Sequence, residues 1–241
     1  MSELPTENDV KSNYLELLTR VERSASLSRR DISDITVVGV TKRIGMERIK
    51  PAIDNGLKHL GEVISTELKT KVSEIRSYFP SAIIHVVGQM QSNKTKFAVE
   101  KCDLVQSIKS EKILELINKY AERRNKVYPV FLQVDFSGKD KLKGLSETEL
   151  TKFLEFSQQF TSIEVQGLMT IAPLEFEADP KILRKYFSKT YRIFQEEFIP
   201  KIPKEEVFLS MGMSKDYEIA IEEGSNLIRV GTAIFGPRMP K

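Results

Sequence analysis

The chain has 241 residues, with 37 basic against 34 acidic side chains and a formal charge of +3. That length suits one barrel-sized domain, and a near-balanced charge dispersed over helical stretches argues against nucleic-acid binding. Two histidines and one cysteine leave little for a nitrogen–sulfur metal site and allow no internal disulfide, so Cys102 reads as a packing residue in a reducing compartment.

No apolar run approaches the ~20 residues that span a bilayer. The opening Met1-Ser-Glu-Leu-Pro-Thr-Glu-Asn-Asp segment is too acidic for a targeting peptide, so a cytoplasmic protein without membrane contact is expected. An amphipathic stretch from Asn8 to Arg29 then predicts an extra N-terminal helix, with residues 1–30 packed on the barrel.

After it, short apolar runs alternate with charged helical stretches. Strands are expected at Ile35–Thr41, Leu57–Gly61, Ile83–Gly88, Leu104–Ser107, Val130–Asp135, Val165–Ile171, Val207–Met211 and Leu227–Gly231. Between them the three- and four-residue apolar spacing predicts helices at Met46–Asn55, Glu67–Tyr78, Ser110–Arg124, Glu147–Phe160, Ile182–Phe198 and Asp216–Glu223. Gly56 ends a helix, while Pro80 and Pro129 precede strands. Strands alternating with helices imply parallel pairing with right-handed crossovers, and eight of them close a single-domain (β/α)₈ TIM barrel over residues 1–241.

Alternation along the first strand puts Thr36, Val38, Val40 and Lys42 on one face, so Lys42 would cap the inward layers at the barrel mouth. An amine desolvated there has the lowered pKa that imine formation requires, although this segment taken alone favours a surface lysine at a strand end. On the last strand Leu227, Arg229 and Gly231 share a face, which sets a guanidinium inward below a glycine whose N–H can approach an anion. Phosphate sites in this fold form after strands seven and eight, which makes Ser210, Gly231 and Thr232 the expected phosphate ligands. Ser214 reads as a cap for the helix near Asp216; Gln91, Asn93 and Lys94 follow strand three on the active side, where Asn93 is equally a cap for the next helix. His85 sits mid-strand beside Ile83 and Val87 on its face, either a satisfied core histidine or a neighbour of the site. A strand-end lysine facing a phosphate cradle is the arrangement expected for a pyridoxal 5'-phosphate Schiff base.

Seven segments carry a family resemblance: Val37-Val-Gly-Val-Thr-Lys42, Gly61-Glu62, His85-Val-Val-Gly-Gln-Met-Gln-Ser-Asn-Lys94, Gln133-Val-Asp-Phe-Ser137, Gly167-Leu-Met-Thr-Ile-Ala-Pro173, Leu209-Ser-Met-Gly-Met-Ser214 and Arg229-Val-Gly-Thr-Ala-Ile-Phe-Gly236. In these the chain resembles the pyridoxal phosphate homeostasis proteins, single-domain relatives of the alanine racemase barrel. The resemblance implies that Lys42 holds the cofactor covalently, Arg229 faces its pyridine nitrogen, His85 lies near the ring, and Ser210, Gly231 and Thr232 hold the phosphate. Three positions depart from the family pattern: Val63 where an asparagine is usual, Leu142 between Lys141 and Lys143 where a lysine is usual, and Asn226 where a threonine is common.

The resulting expectation is a monomeric protein that buffers or carries pyridoxal phosphate, meeting apo-enzymes by transient contact and catalysing little itself. Arg229 is always cationic and cannot protonate the ring nitrogen, which disfavours transamination. The rivals are a racemase-like enzyme drawing a base from Tyr78 or Tyr217, a cofactor-free Schiff-base lyase, and a module that only senses the cofactor.

Overall fold

In a computed structural model that describes residues 5–63, 68–139, 143–202 and 206–237, eight parallel strands close into a barrel in chain order. They are β1 (Thr36–Val40), β2 (His59–Glu62), β3 (Ile83–Val86), β4 (Leu104–Ile108), β5 (Tyr128–Val134), β6 (Ile163–Thr170), β7 (Phe208–Ser210) and β8 (Leu227–Val230). The barrel closes where β1 pairs with β8, Val38 lying opposite Arg229. Pro129, expected ahead of β5, lies inside it at the second position, where a missing N–H is least costly to the ladder.

Helices α1 (Glu7–Leu27), α2 (Met46–Asp54), α3 (Leu68–Tyr78), α4 (Thr95–Lys101), α5 (Glu111–Glu122), α6 (Glu147–Ser157), α7 (Pro180–Ile193), α8 (Tyr217–Glu222) and α9 (Thr232–Phe235) surround the strands. The helix expected at Ile182–Phe198 starts earlier, because Asp179 accepts from the Lys181 N–H at 2.8 Å and Pro180 fits the first turn. It gives way at Phe194–Phe198 to a π turn, within which the Phe194 and Phe198 rings stack at 5.4 Å. Asn93 does not cap α4: it lies within a 3₁₀ turn, Ser92–Lys94. At the end of α2, Gly56 has φ +105°, a left-handed conformation that turns the chain into β2.

Alternation sorts the strand residues into two clusters. Val38, Leu104, Phe131, Met169 and Leu227 fill the barrel axis, with Phe208 stacked on Phe131 at 5.5 Å. Leu60, Ile84, Val105, Leu132, Leu168, Leu209 and Ile228 point outward into the larger layer beneath the helices. Helix α1 begins with a Thr6–Asp9 capping box and packs against α2, α8 and α9 through Val10, Tyr14, Leu17 and Val21. Burial of such side chains is worth about 1.5–3 kcal/mol apiece, against roughly 0–1 kcal/mol for an exposed ion pair, so packing rather than the Arg20–Glu218 bridge holds this helix. Among the described residues no helix is long and apolar enough to cross a membrane.

Candidate cofactor site

Strand β1 stops one residue before Thr41, whose N–H donates to the Gly61 carbonyl at 2.9 Å. The chain then turns back, the Ile44 N–H donating to the Thr41 carbonyl at 2.9 Å and Arg43 taking φ +60°. Lys42 occupies the first central position of this turn, half-buried at the mouth, and its amine has no hydrogen bond or ion pair among the described residues. Its neighbour is clamped. The Thr41 hydroxyl donates to the buried Glu62 carboxylate at 2.6 Å, Lys71 from α3 pairs with the same carboxylate at 2.6 Å, and Lys71 donates to the Thr41 carbonyl at 2.5 Å. The tie sits outside the sheet and fixes the lysine turn without touching Lys42.

Beside it, β8 runs into α9. The N–H groups of Gly231, Thr232 and Ala233 open that helix and have no partner within it. Ser214 Oγ lies against two of them, 3.2 Å from the Gly231 nitrogen and 3.4 Å from that of Ala233, contacts long enough to give way to a stronger anionic acceptor. Gly212 makes this approach possible. It has φ +95°, and a Cβ there would stand 2.7 Å from that of Ala220, so only glycine can turn the chain from β7 back over α8. Ser214 therefore does not cap α8; Asp216 stands at the N-cap position, its carboxylate turned back to accept from the Met213 N–H at 2.5 Å.

Below the mouth lies Arg229, buried within the barrel. Its Nη1 donates to Ser210 Oγ at 2.6 Å and its Nη2 to the Thr170 carbonyl at 2.7 Å. Burial lowers its pKa to about 10, opposed by the nearby Asp216 carboxylate, so it remains cationic at neutral pH. Ser210 Oγ donates in turn to Gln106 Oε1 at 2.7 Å, and Gln106 Nε2 meets His85 Nδ1 at 2.8 Å. His85 Nε2 is 2.9 Å from His59 Nδ1. Burial, reinforced by the neighbouring His59, lowers the His85 pKa to about 3, and burial also lowers that of His59.

The six residues singled out from sequence divide into three groups. Lys42 stands with Gly231 and Thr232 at one end of the barrel, past adjacent strands. Arg229 lies below them on the inner face of β8, opposite Val38 of β1. Ser210 and His85 lie deeper still: the Ser210 hydroxyl is shared between Arg229 and Gln106, and His85 is held between Gln106 and His59. The serine at the α9 amides is Ser214, which the sequence reading left as a helix cap. The signal is present, since both serines fall in one segment, separated by Met211-Gly-Met213. His59 and Gln106 were overlooked as single polar residues in apolar strands, although alternation places each on the inner face. Val63, at the usual asparagine position, packs over Gly88, whose Cβ would stand 2.7 Å from Val63 Cγ1. Lys141 and Leu142 lie outside the described residues. Cys102 is buried, and that burial raises its thiol pKa to about 12. Among the described residues no three His, Cys, Asp or Glu side chains gather to hold a metal ion.

The parallel barrel is shared with known proteins. Residues 19–239 match the family model described as alanine racemase, N-terminal domain. A pyridoxal phosphate homeostasis protein of Aquifex aeolicus is 30% identical over 225 residues, covering 92% of this chain and 95% of that protein. The chain belongs to the alanine racemase N-terminal domain family and, within it, to the pyridoxal phosphate homeostasis proteins. PipY of Synechococcus elongatus, solved with PLP bound, superposes with a TM-score of 0.72 at 29% identity, covering 90% of this chain and all (100%) of PipY. Alanine racemase from Bartonella henselae shares the fold at a TM-score of 0.71 and 16% identity, over 96% of this chain but 59% of the racemase.

Proposed function

We propose that this chain binds pyridoxal 5'-phosphate at the carboxyl-terminal mouth of its barrel and buffers or delivers it within the cell, with little catalysis of its own. The observation that carries the reading is the placement, at one mouth, of a lysine amine without a partner among the described residues and of helix-start N–H groups held only by long contacts to Ser214, above a buried arginine. These residues fit the cofactor's three distinctive groups. Lys42 would hold the aldehyde covalently, since its amine has no competing partner. The Gly231, Thr232 and Ala233 amides with Ser214 would take the phosphate, and Arg229 would face the ring nitrogen. When bound, the cofactor supplies an electron sink. A cationic arginine that cannot give up its proton limits that sink, which supports carriage over transamination.

The racemase rival needs a second base at the site. Tyr78 ends α3 and donates to Asp54 at the end of α2, which is the face opposite the mouth. Tyr217 is buried under the Arg20 guanidinium, 5.5 Å from its ring centre, outside the sheet. Neither supports racemisation. The reading extends to a cytoplasmic monomer that meets apo-enzymes transiently and needs no nucleic acid or membrane.

The deciding experiment is incubation of the purified chain with pyridoxal phosphate, borohydride reduction and peptide mapping, followed by exposure to L-amino acids in deuterated water. The expected result is a pyridoxyl group on Lys42 with negligible α-deuterium incorporation. A pyridoxyl group on another lysine removes the site, and efficient Lys42-dependent exchange makes the protein an enzyme. Preference for a sugar phosphate over the cofactor would favour the lyase.

A further inference from the structure

The hydrogen bonds inside the barrel form one unbroken file across five strands: Arg229 on β8, Ser210 on β7, Gln106 on β4, His85 on β3 and His59 on β2. All but His59 are buried, and His59, the first residue of β2, is half-buried. The chemistry of each member dictates the direction of the file. Arginine only donates, so Ser210 must accept at its oxygen and send its own proton onward. The Ser210 proton has one partner, Gln106 Oε1, which turns the amide NH₂ toward His85 Nδ1. His85 must therefore be bare at Nδ1 and carry its proton on Nε2, which donates to His59 Nδ1 at 2.9 Å. His59 in turn is protonated on its outer nitrogen, Nε2. Reversal is disfavoured: with the amide flipped, Gln106 would donate to a serine oxygen already taken by Arg229, stranding the hydroxyl proton in a buried site.

We propose that Gln106, His85 and His59 are positioning residues for Arg229, a one-way hydrogen-bond relay that keeps Ser210 an acceptor and holds the guanidinium toward the cofactor. The proposal rests on the reading of Arg229 as the group that faces the cofactor ring, but its own core, a fixed set of tautomers and an ordered arginine, exists without any ligand. The apolar cluster on the barrel axis cannot supply this function, because Val38, Leu104, Phe131, Met169 and Leu227 offer nothing to a guanidinium. The Thr170 carbonyl fixes only one of the two terminal nitrogens. The relay fixes the other, and with it the plane of the group.

The test uses the full chain, ¹⁵N-labelled, without cofactor at neutral pH. Long-range proton–nitrogen correlation is expected to find His85 and His59 each protonated on Nε2 alone, and slowly exchanging N–H protons on Arg229. In Gln106→Leu the His85 tautomer is no longer fixed and the Arg229 protons exchange freely. With pyridoxal phosphate added, the same variant shows a dissociation constant raised about tenfold and a shifted absorption band. His59→Leu moves these readouts in the same direction, and His59→Asn, which keeps an acceptor near the Nδ1 position, restores them. A His85 protonated on Nδ1, or an Arg229 signal indifferent to both Gln106→Leu and His59→Leu, overturns the relay. If Gln106→Leu does not fold, the His59 pair decides alone. Failure of the wild-type chain to bind pyridoxal phosphate would sink the cofactor reading, while the ligand-free spectra still decide the relay.

Discussion

Two adjacent walls of the barrel mouth are built by different means. On the β1–β2 wall, the turn that bears Lys42 is fixed by side chains: Thr41 just past β1, Glu62 of β2 and Lys71 of α3 lock together within 2.6 Å. On the β7–β8 wall, main-chain groups dominate. The Arg229 N–H donates to the Gly212 carbonyl at 3.0 Å, the Met211 N–H to that of Leu227 at 3.1 Å, and the Gly231 and Ala233 N–H groups face the mouth. A wall made of side chains presents one reactive amine that a single substitution removes. A wall made of backbone presents an anion cradle that single substitutions can only weaken. The first should govern covalent capture, the second affinity for phosphate.

The largest expected effect breaks one wall and spares the other. Lys42→Ala should abolish the borohydride-reducible adduct completely while pyridoxal phosphate still binds reversibly and inorganic phosphate still competes. Mass spectrometry of the reduced protein and equilibrium dialysis read the two properties separately. Loss of both together would mean the walls are not independent.

Next in size, Arg229→Ala removes two charge-assisted hydrogen bonds and leaves Ser210 without its donor. Hydrogen bonds to charged groups contribute ~1.5–3 kcal/mol, so the dissociation constant should rise by between roughly ten- and a hundredfold, with the adduct still on Lys42. An unchanged constant would remove Arg229 from the site.

The histidine file that connects the walls gives a pH signature. An unfolded histidine takes up its proton near pH 6.5, whereas His85 in the folded protein does so only at about 3, because burial first and His59 second oppose its charge. The unfolded state therefore binds more protons between these values. Stability is fully present above pH 6.5 and declines as the pH falls toward 3. Each pH unit in that window costs about 1.4 kcal/mol for one fully shifted group, so urea unfolding at pH 6.5 and 5.5 should show a steeper loss in the wild type than in His85→Gln. Equal losses would mean that His85 is not held neutral.

What was legible in the sequence follows the same division. The eight strands stand out because apolar runs bounded by glycine, proline and charge are what a buried parallel sheet requires. Lys42 stands out because an apolar strand ends on it abruptly. Backbone geometry leaves its trace in glycines, so the β7–β8 wall can be located from the sequence. Side-chain partnerships leave none. Nothing in the spacing of Thr41, Glu62 and Lys71 announces that three such residues meet, and His59 meets Gln106 only through His85, across two strand pairings. Tyr78 misled for a related reason: its place at the end of α3 sends it to the far face.

The smallest effect separates two serines that the sequence alone could not rank. Ser214 Oγ lies at the Gly231 and Ala233 amides through contacts of 3.2 and 3.4 Å, whereas Ser210 Oγ is committed to Arg229 at 2.6 Å and Gln106 at 2.7 Å. A hydroxyl that helps hold a phosphate matters only to ligands that carry one. Ser214→Ala should thus lower the preference for pyridoxal phosphate over pyridoxal about fivefold, equivalent to ~1 kcal/mol, while leaving the weak binding of pyridoxal unchanged. Ser210→Ala should instead loosen Arg229, which on the proposed reading faces the ring end of the ligand, and weaken both aldehydes by the same factor. Isothermal titration of the two variants with the two aldehydes gives four constants. If Ser210→Ala erased the phosphate preference and Ser214→Ala preserved it, the cradle would have to be rebuilt around the deeper serine and the backbone wall would lose its claim to the phosphate.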